Sequence, residues 1–271
     1  MKIVPCAGPF GVEVHDFDLR RISEQEIMAC RRLQQEHGVI FFRRQKLDCD
    51  EHVAVAKRFG DIVVNRFFER VPDYPMIAMV RKEPVHDTVV GEDWHTDHSY
   101  DAEPAMGSIL YAREVPAQGG ETEFINMARV FNSLPEELKA RLRTLKALHS
   151  SRHAFSAAAT RGDERYHSPN QAVQDSTHPV VIRHPECGRE VLYVNPDFTV
   201  SICGLKEPES RDLLNELYSA ATAPEQVMAF QWEKDSIAFW DNRMTWHRAR
   251  NNYPGQRRLM HRITLAGCPL S

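Results

Sequence analysis

FWDNRMTWHRARNNYPGQRRLMHRITL, residues 239–265, is the stretch on which the fold and the chemistry both turn. Ser236–Trp240 runs into it as an apolar strand, and Leu259–Leu265 closes it as a second one. His247 lies just past the first strand and offers a neutral ring nitrogen. Arg258 follows it by 11 residues and Arg262 by 15. On a strand, positions 258, 260, 262 and 264 share one face. Two guanidiniums on that face can clamp carboxylates through paired, charge-assisted hydrogen bonds worth ~1.5–3 kcal/mol each. Taken one at a time, Arg257, Arg258 and Arg262 read more simply as solvated surface charges.

Outward from this stretch the chain is β-rich. Further strands are expected at Met76–Val80, Trp94–Tyr100, Ser108–Arg113, Val180–Arg183 and Val191–Asn195, with Val39–Phe42 a short buried one. A helix starts at Ser23, because Ser23-Glu24-Gln25-Glu26 has the capping-box pattern, and Gly38 stops it. Others are expected at about Glu51–Phe59, Leu134–Leu145 and Pro208–Ala221. Strands outnumber helices and βαβ alternation is absent, which points to a mainly β protein with peripheral helices (α+β), a barrel or sandwich in one domain over 1–271. Residues 151–178 are polar and without a clear period; so long a loop reads as a cover over an active site.

Composition narrows the function. Lys and Arg number 34 against 38 acidic residues, and no basic tract occurs, so a nucleic-acid partner lacks electrostatic support. No run approaches the ~20 apolar residues of a membrane span, and MKIVPCAGPFGVEV has no secretory h-region. The six cysteines form no C-x-x-C pair and read as reduced, buried thiols in a cytoplasmic protein.

Trp94-His95-Thr96-Asp97 adds the other half of a site. Residues i and i+2 of a strand face the same way, so His95 and Asp97 can converge on one ion. With 13 histidines in the chain, about one His-x-Asp is expected by chance, so the pair is weak alone. Joined by His247 it becomes two histidines and a carboxylate, the facial triad of non-haem iron(II) oxygenases, which keeps positions open for a bidentate cosubstrate and O2. A structural zinc site would close its shell with a fourth ligand, and none stands near either half.

GPFGVEVHDFDLR, HGVIFFRRQ, RFGDI, DWHTDHSY, VPAQGGETEF, LYVNPDFT and WDNRMTWHRA…GQRRLMHRIT together carry a resemblance that runs nearly end to end. The chain resembles the taurine dioxygenase / 2,4-dichlorophenoxyacetate dioxygenase family of Fe(II)- and 2-oxoglutarate-dependent enzymes. The resemblance implies a double-stranded β-helix (jelly roll, cupin-like) with iron at one open end, held by His95, Asp97 and His247. It implies that Arg258 binds the distal carboxylate of 2-oxoglutarate with Thr122, which lies 27 residues after His95. Arg262 would hold the anionic end of the substrate, and Phe68, Phe155 and Phe198 would line its pocket. The resemblance also implies hydroxylation, with succinate and CO2 released, of a small acidic molecule; family members are often dimers or tetramers, so a homo-oligomer is in scope. Asp97 argues against halogenation, which needs that coordination position for halide.

Two departures matter. Where the taurine enzymes place a substrate-binding histidine after the RFG turn, this chain has Asn65, and Gly91 stands where they keep an asparagine. Taurine itself is therefore disfavoured, and MVRKEP…VVGEDWHTDHSY looks more like the branch that cleaves aryloxyalkanoates. Other readings stay open: desaturation or cyclisation of a biosynthetic, carrier-tethered intermediate; a cupin-like zinc hydrolase or isomerase; or a non-catalytic protein that binds 2-oxoglutarate or a metal.

Overall fold

The computed structural model describes residues 1–152, 165 and 174–271. Helix α1 (Glu24–His37) begins at the expected box, with the Glu26 N–H donating to Ser23 Oγ and the Ser23 N–H to Glu26 Oε2. Gly38, at φ 81°, ends it. Helix α2 (Cys49–Phe59) starts two residues before the expected Glu51, because Asp48 caps it and Glu51 completes a second box. The helix expected over Leu134–Leu145 is two shorter ones. Asn126 accepts from two backbone N–H groups to cap α3 (Met127–Ser133), and Pro135 starts α4 (Glu136–Leu142). Helix α5 (Glu207–Ala221) has its proline in the first turn, where no N–H is needed.

The large sheet runs β1 (Lys2–Pro5), β2 (Val12–His15), β3 (Val39–Phe42), β15 (Ile237–Asp241), β7 (Gly107–Glu114), β17 (Arg258–Leu265), β6 (Tyr74–Lys82) and β5 (Arg70–Val71), with β4 (Ile62–Val63) also beside β17. Its pairs are antiparallel except β2 with β3. Facing it is β14 (Val227–Phe230), β8 (Thr122–Asn126) and β16 (Thr245–Ala249), and a third sheet sets β9 (Lys146–Ser150) between β10 (Asp175–Pro179) and β13 (Thr199–Ile202). A hairpin of β11 (Val181–Arg183) and β12 (Glu190–Leu192) completes the described strands. Two antiparallel sheets wrapped face to face, with helices outside, make the jelly roll.

Alternation on β15 shows why the large sheet reads as continuous apolar runs. Ile237 and Phe239 pack towards α1 and α2 with Ile27, Val55 and Phe59. Ala238 and Trp240 point into the barrel with Phe41, Phe124 and Met260. Both faces are buried, so both parities are hydrophobic. The seam between β7 and β17 carries one bulge: Leu259 opposes Glu114 while Met260 opposes Ala112, leaving Arg113 as the extra residue. The bulge falls on β7, so Arg258 and Arg262 keep the same parity on β17.

Trp94–Tyr100 is not a strand. Only His95 makes a ladder contact, an isolated bridge to His247, and the chain then turns at His98, whose φ is 62°. Of the expected cover over 151–178, residues 153–164 and 166–173 lie outside the described residues, and 175–178 belong to β10 rather than to a loop. All six cysteines are free, but only Cys30 is buried and Cys203 is exposed, so the uniform reading of buried thiols is corrected. No helix among the described residues is long and apolar enough to cross a membrane.

Candidate active site

His247 belongs to β16, where it faces Phe124 of β8. Its backbone exchanges both hydrogen bonds with His95: His95 N–H to His247 O at 3.2 Å and His247 N–H to His95 O at 2.8 Å. This pair of bonds, rather than a continuous strand, brings the two halves of the sequence together. Asp97 follows through the turn. Ligand atoms of His95, Asp97 and His247 all lie within 4.8 Å of one another, and all three residues are buried. Asp97 Oδ1 is 3.8 Å from His95 Nε2, and Asp97 Oδ2 is 3.9 Å from His247 Nε2. A shared ion with bonds of ~2.1 Å at right angles closes such gaps by roughly an ångström.

The protonation pattern fits a cation. His95 Nδ1 lies 2.8 Å from the Asp93 carbonyl oxygen, which can only accept, so Nδ1 carries a proton and Nε2 is the nitrogen turned towards Asp97. Burial, reinforced by His95, holds the His247 imidazole well below its usual range and therefore neutral. Burial alone would raise the Asp97 carboxyl; the Arg262 guanidinium, the largest opposing influence, overrides it and holds it ionised.

A cavity of about 330 Å³ opens beside the three residues. Thr122, Arg258 and Arg262 line it, as do Phe68, Leu110, Phe198 and Trp240. Thr122 Oγ1 accepts from Trp232 Nε1 at 2.8 Å and from Arg258 Nη2 at 3.3 Å. Both partners are pure donors, so the threonine's own proton is left to donate to something else. Arg258 has no carboxylate partner among the described residues, its Nε is buried without any partner, and burial lowers its pKa. A buried guanidinium in that condition, beside a hydroxyl with a proton to give, is built to receive an anion. Arg262 instead donates from Nη1 to Asp97 Oδ1 at 2.9 Å and lies 4.8 Å from the centre of the Phe68 ring.

Other expected pocket residues fare differently. Phe68 and Phe198 line the cavity, Phe198 with its ring edge-on to His95. Asn65 is buried outside the described lining; its Oδ1 accepts from the N–H groups of Phe67 and Phe68 at 2.9 and 3.1 Å and so builds the turn that presents Phe68. Phe155 lies outside the described residues. Gly91, at φ 74°, presses against His95, where an added Cβ would stand 3.1 Å from ring Cε1. Sequence reasoning missed His98, whose Nδ1 is 2.9 Å from Asp101 Oδ2, and Arg165, held by the Thr88 carbonyl and hydroxyl; both line the cavity. It also missed Ser108, which donates to Asp97 Oδ2 at 2.8 Å. His98 could have been flagged from its place next to Asp97; the others needed the fold.

Residues 2–264 match the family model described as taurine catabolism dioxygenase TauD, TfdA family. The chain is 33% identical to the alpha-ketoglutarate-dependent 2,4-dichlorophenoxyacetate dioxygenase of Cupriavidus pinatubonensis, over 96% of each protein. It is 34% identical to an alkylsulfatase of Acinetobacter baylyi, over 98% of this chain and 85% of that one. Among solved structures, a taurine dioxygenase from Burkholderia xenovorans superposes with a TM-score of 0.84 at 32% identity, covering 98% of this chain and 90% of the other.

Proposed function

The chain belongs to the TauD, TfdA family and is an Fe(II)- and 2-oxoglutarate-dependent dioxygenase; from that premise we propose that His95, Asp97 and His247 hold the metal, that Thr122 and Arg258 hold 2-oxoglutarate, and that Arg262 receives the anionic end of a small organic acid. The observation that carries this reading is the convergence of two histidines and one ionised aspartate at the wall of a cavity that also holds a buried arginine with no carboxylate partner among the described residues. When bound, iron(II) with 2-oxoglutarate and O2 supplies the oxidising power: the cosubstrate becomes succinate and CO2, and one oxygen atom enters a substrate C–H bond.

The protein's own contribution is placement and exclusion of water. Arg258 and Thr122 give the distal carboxylate two charge-assisted or hydroxyl hydrogen bonds, which set how far 2-oxoglutarate reaches towards the metal. Arg262 stands next to Asp97, so an anion drawn to it comes to rest beside the metal site. Phe68, Leu110 and Phe198 offer the apolar body of the substrate a dry wall. Such a pocket suits an acid with an apolar body, as in aryloxyalkanoates and alkyl sulfates, the classes named for the two relatives. The six free cysteines support a reducing, cytoplasmic setting.

The test is succinate release under air with Fe(II) and 2-oxoglutarate, across taurine, alkylsulfonates, alkyl sulfates, aryloxyalkanoates and acylated amino acids. Substrate-stimulated succinate that disappears in Asp97→Ala is the expected result. Absence of both uncoupled turnover and anaerobic 2-oxoglutarate binding would overturn the site assignment.

A further inference from the structure

Behind the three proposed ligands lies a second layer of polar groups, none of which the reaction itself employs. Trp240, Asn242 and Ser108 are each no more than 1% exposed, and Thr96 is 3% exposed. Burying so many polar groups is unfavourable unless each is paired, and a set of apolar residues would fill the same space without that requirement. Their hydrogen bonds form one connected chain. Trp240 Nε1 donates to Asn242 Oδ1 at 2.7 Å, Asn242 Nδ2 donates to Ser108 Oγ at 3.3 Å, and Ser108 Oγ donates to Asp97 Oδ2 at 2.8 Å.

The direction of this chain is dictated by chemistry. An indole N–H can only donate, so the amide atom facing it is oxygen. The Asn242 NH₂ therefore points at Ser108, which must accept it. The serine proton then has one acceptor left, the Asp97 carboxylate. Asn242 is itself pinned by its backbone: its N–H donates to the Met106 carbonyl at 2.9 Å, and its own carbonyl accepts from the Thr96 hydroxyl. Thr96 sits between His95 and Asp97 in sequence, and the Trp240 ring centre lies 4.5 Å from that of His247. Asn242 thus touches the approach to all three ligands while contacting none of them.

We infer that Asn242 is the hub of a one-way hydrogen-bond relay, Trp240 to Asn242 to Ser108 to Asp97, that orients the Asp97 carboxylate for metal binding. Its members are positioning residues. Ser108 holds Oδ2 from the large-sheet side and Arg262 holds Oδ1 from the cavity side, so each carboxylate oxygen has a donor that fixes its direction. Outer groups of this kind typically change metal affinity or activity on the order of 10–100-fold when removed.

The inference rests on the proposed metal site, and the experiment separates the two. Anaerobic Fe(II) affinity, by competition with a chromogenic chelator, is measured beside the charge-transfer absorption of the Fe(II)–2-oxoglutarate complex and the melting temperature. His95→Ala should lose Fe(II) binding; if it binds as the unsubstituted protein does, the metal-site reading fails and the relay with it. Ser108→Ala, with a cooperative melting transition, should bind Fe(II) on the order of 10–100-fold more weakly and shift the absorption band, while Ser108→Thr, which restores a hydroxyl, should recover most of both. Asn242→Asp, nearly isosteric, turns the serine proton away from Asp97 and should behave like Ser108→Ala. Trp240→Phe removes the indole donor while keeping an aromatic ring, though a smaller one, beside His247, and should weaken Fe(II) several-fold; it serves where the serine variant does not fold. Folded variants of Ser108 and Trp240 with unchanged Fe(II) affinity and an unshifted band would overturn the relay.

Discussion

Asp97 and Asp241 are two buried aspartates, each beside an arginine and histidine, and they behave oppositely. For both, burial would raise the carboxyl, and the neighbouring guanidinium pulls it well below the usual range. Around Asp241 every group is answered. Arg243 donates from Nε to Oδ1 at 2.9 Å and from Nη2 to Oδ2 at 2.6 Å, its Nη2 also reaches Glu186, and His184 Nε2 lies 3.0 Å from Oδ2. His184 Nδ1 in turn accepts from the N–H groups of Glu186 and Cys187. Around Asp97 the account stays open: Arg262 Nε, Arg258 Nε and His247 Nδ1 are buried without partners among the described residues, and a cavity adjoins them. A closed network of buried charge holds the scaffold; an open one awaits a ligand.

The largest effect expected from breaking this contrast is in Asp97→Ala. Fe(II) binding and substrate-dependent succinate release should fall below detection in a calorimetric titration and a turnover assay, with a smaller fall in melting temperature than Asp241→Ala gives, because the Arg262 left without its carboxylate lines the cavity. Asp241→Ala should do the reverse. It strands Arg243 in the interior at a cost of ~3–5 kcal/mol, read as a lower denaturation midpoint, while the fraction still folded binds Fe(II) normally. Equal destabilisation by the two substitutions would erase the distinction between site and scaffold.

Arg258→Ala sharpens it further. Loss of a buried charge with no carboxylate partner among the described residues should leave stability unchanged or improved, whereas 2-oxoglutarate binding should weaken by ~1.5–3 kcal/mol, roughly 10- to 150-fold, in an anaerobic titration. A scaffold arginine would show the opposite pattern.

How much of this was legible beforehand follows from range. VIFF in β3 and IAFW in β15 announce themselves because both faces are buried, and the Ser23 box because a cap is local. TEFIN in β8 and TWHRA in β16 were overlooked: they are short, polar and devoted to the site. WHTDHSY misled because its composition suits a strand, while the left-handed backbone of His98 breaks one. His95, Asp97, His247, Thr122, Arg258 and Arg262 could be named from spacing and resemblance. Asn65 could not be placed, since its role as a turn-builder depends on which N–H groups its side chain meets. Ser108 and Asn242 were invisible because only the pairing of β7 with β15, which sets Trp240 opposite Ser108, brings them together.

The smallest expected effect tests the limit of the comparison. His52 is fully buried against Tyr111, and neither ring nitrogen has a partner among the described residues, yet it does not line the cavity. Burial, with His261 and Arg113 nearby, pushes its pKa from 6.5 down to about 3. Above the ordinary value both folded and unfolded chains leave it neutral and it contributes nothing. As pH falls through that value the unfolded chain takes the proton first, so stability is lost progressively down to about 3. His52→Leu should move the acid-unfolding midpoint to lower pH in a circular-dichroism titration and leave Fe(II) binding alone. An orphaned nitrogen therefore marks a ligand site only where space adjoins it.

Gly91 constrains the substrate pocket as well as shaping it. Its backbone, at φ 74°, lies close against the His95 ring. Placing a side chain there is not a free substitution, because any Cβ forces the ring of a proposed metal ligand to yield first. The order of changes along an engineering route is thereby constrained: the loop must retreat before a side chain can enter. Specificity at this corner is epistatic, so swapping single residues between branches of the family should fail here where transplanting the whole 88–95 loop succeeds.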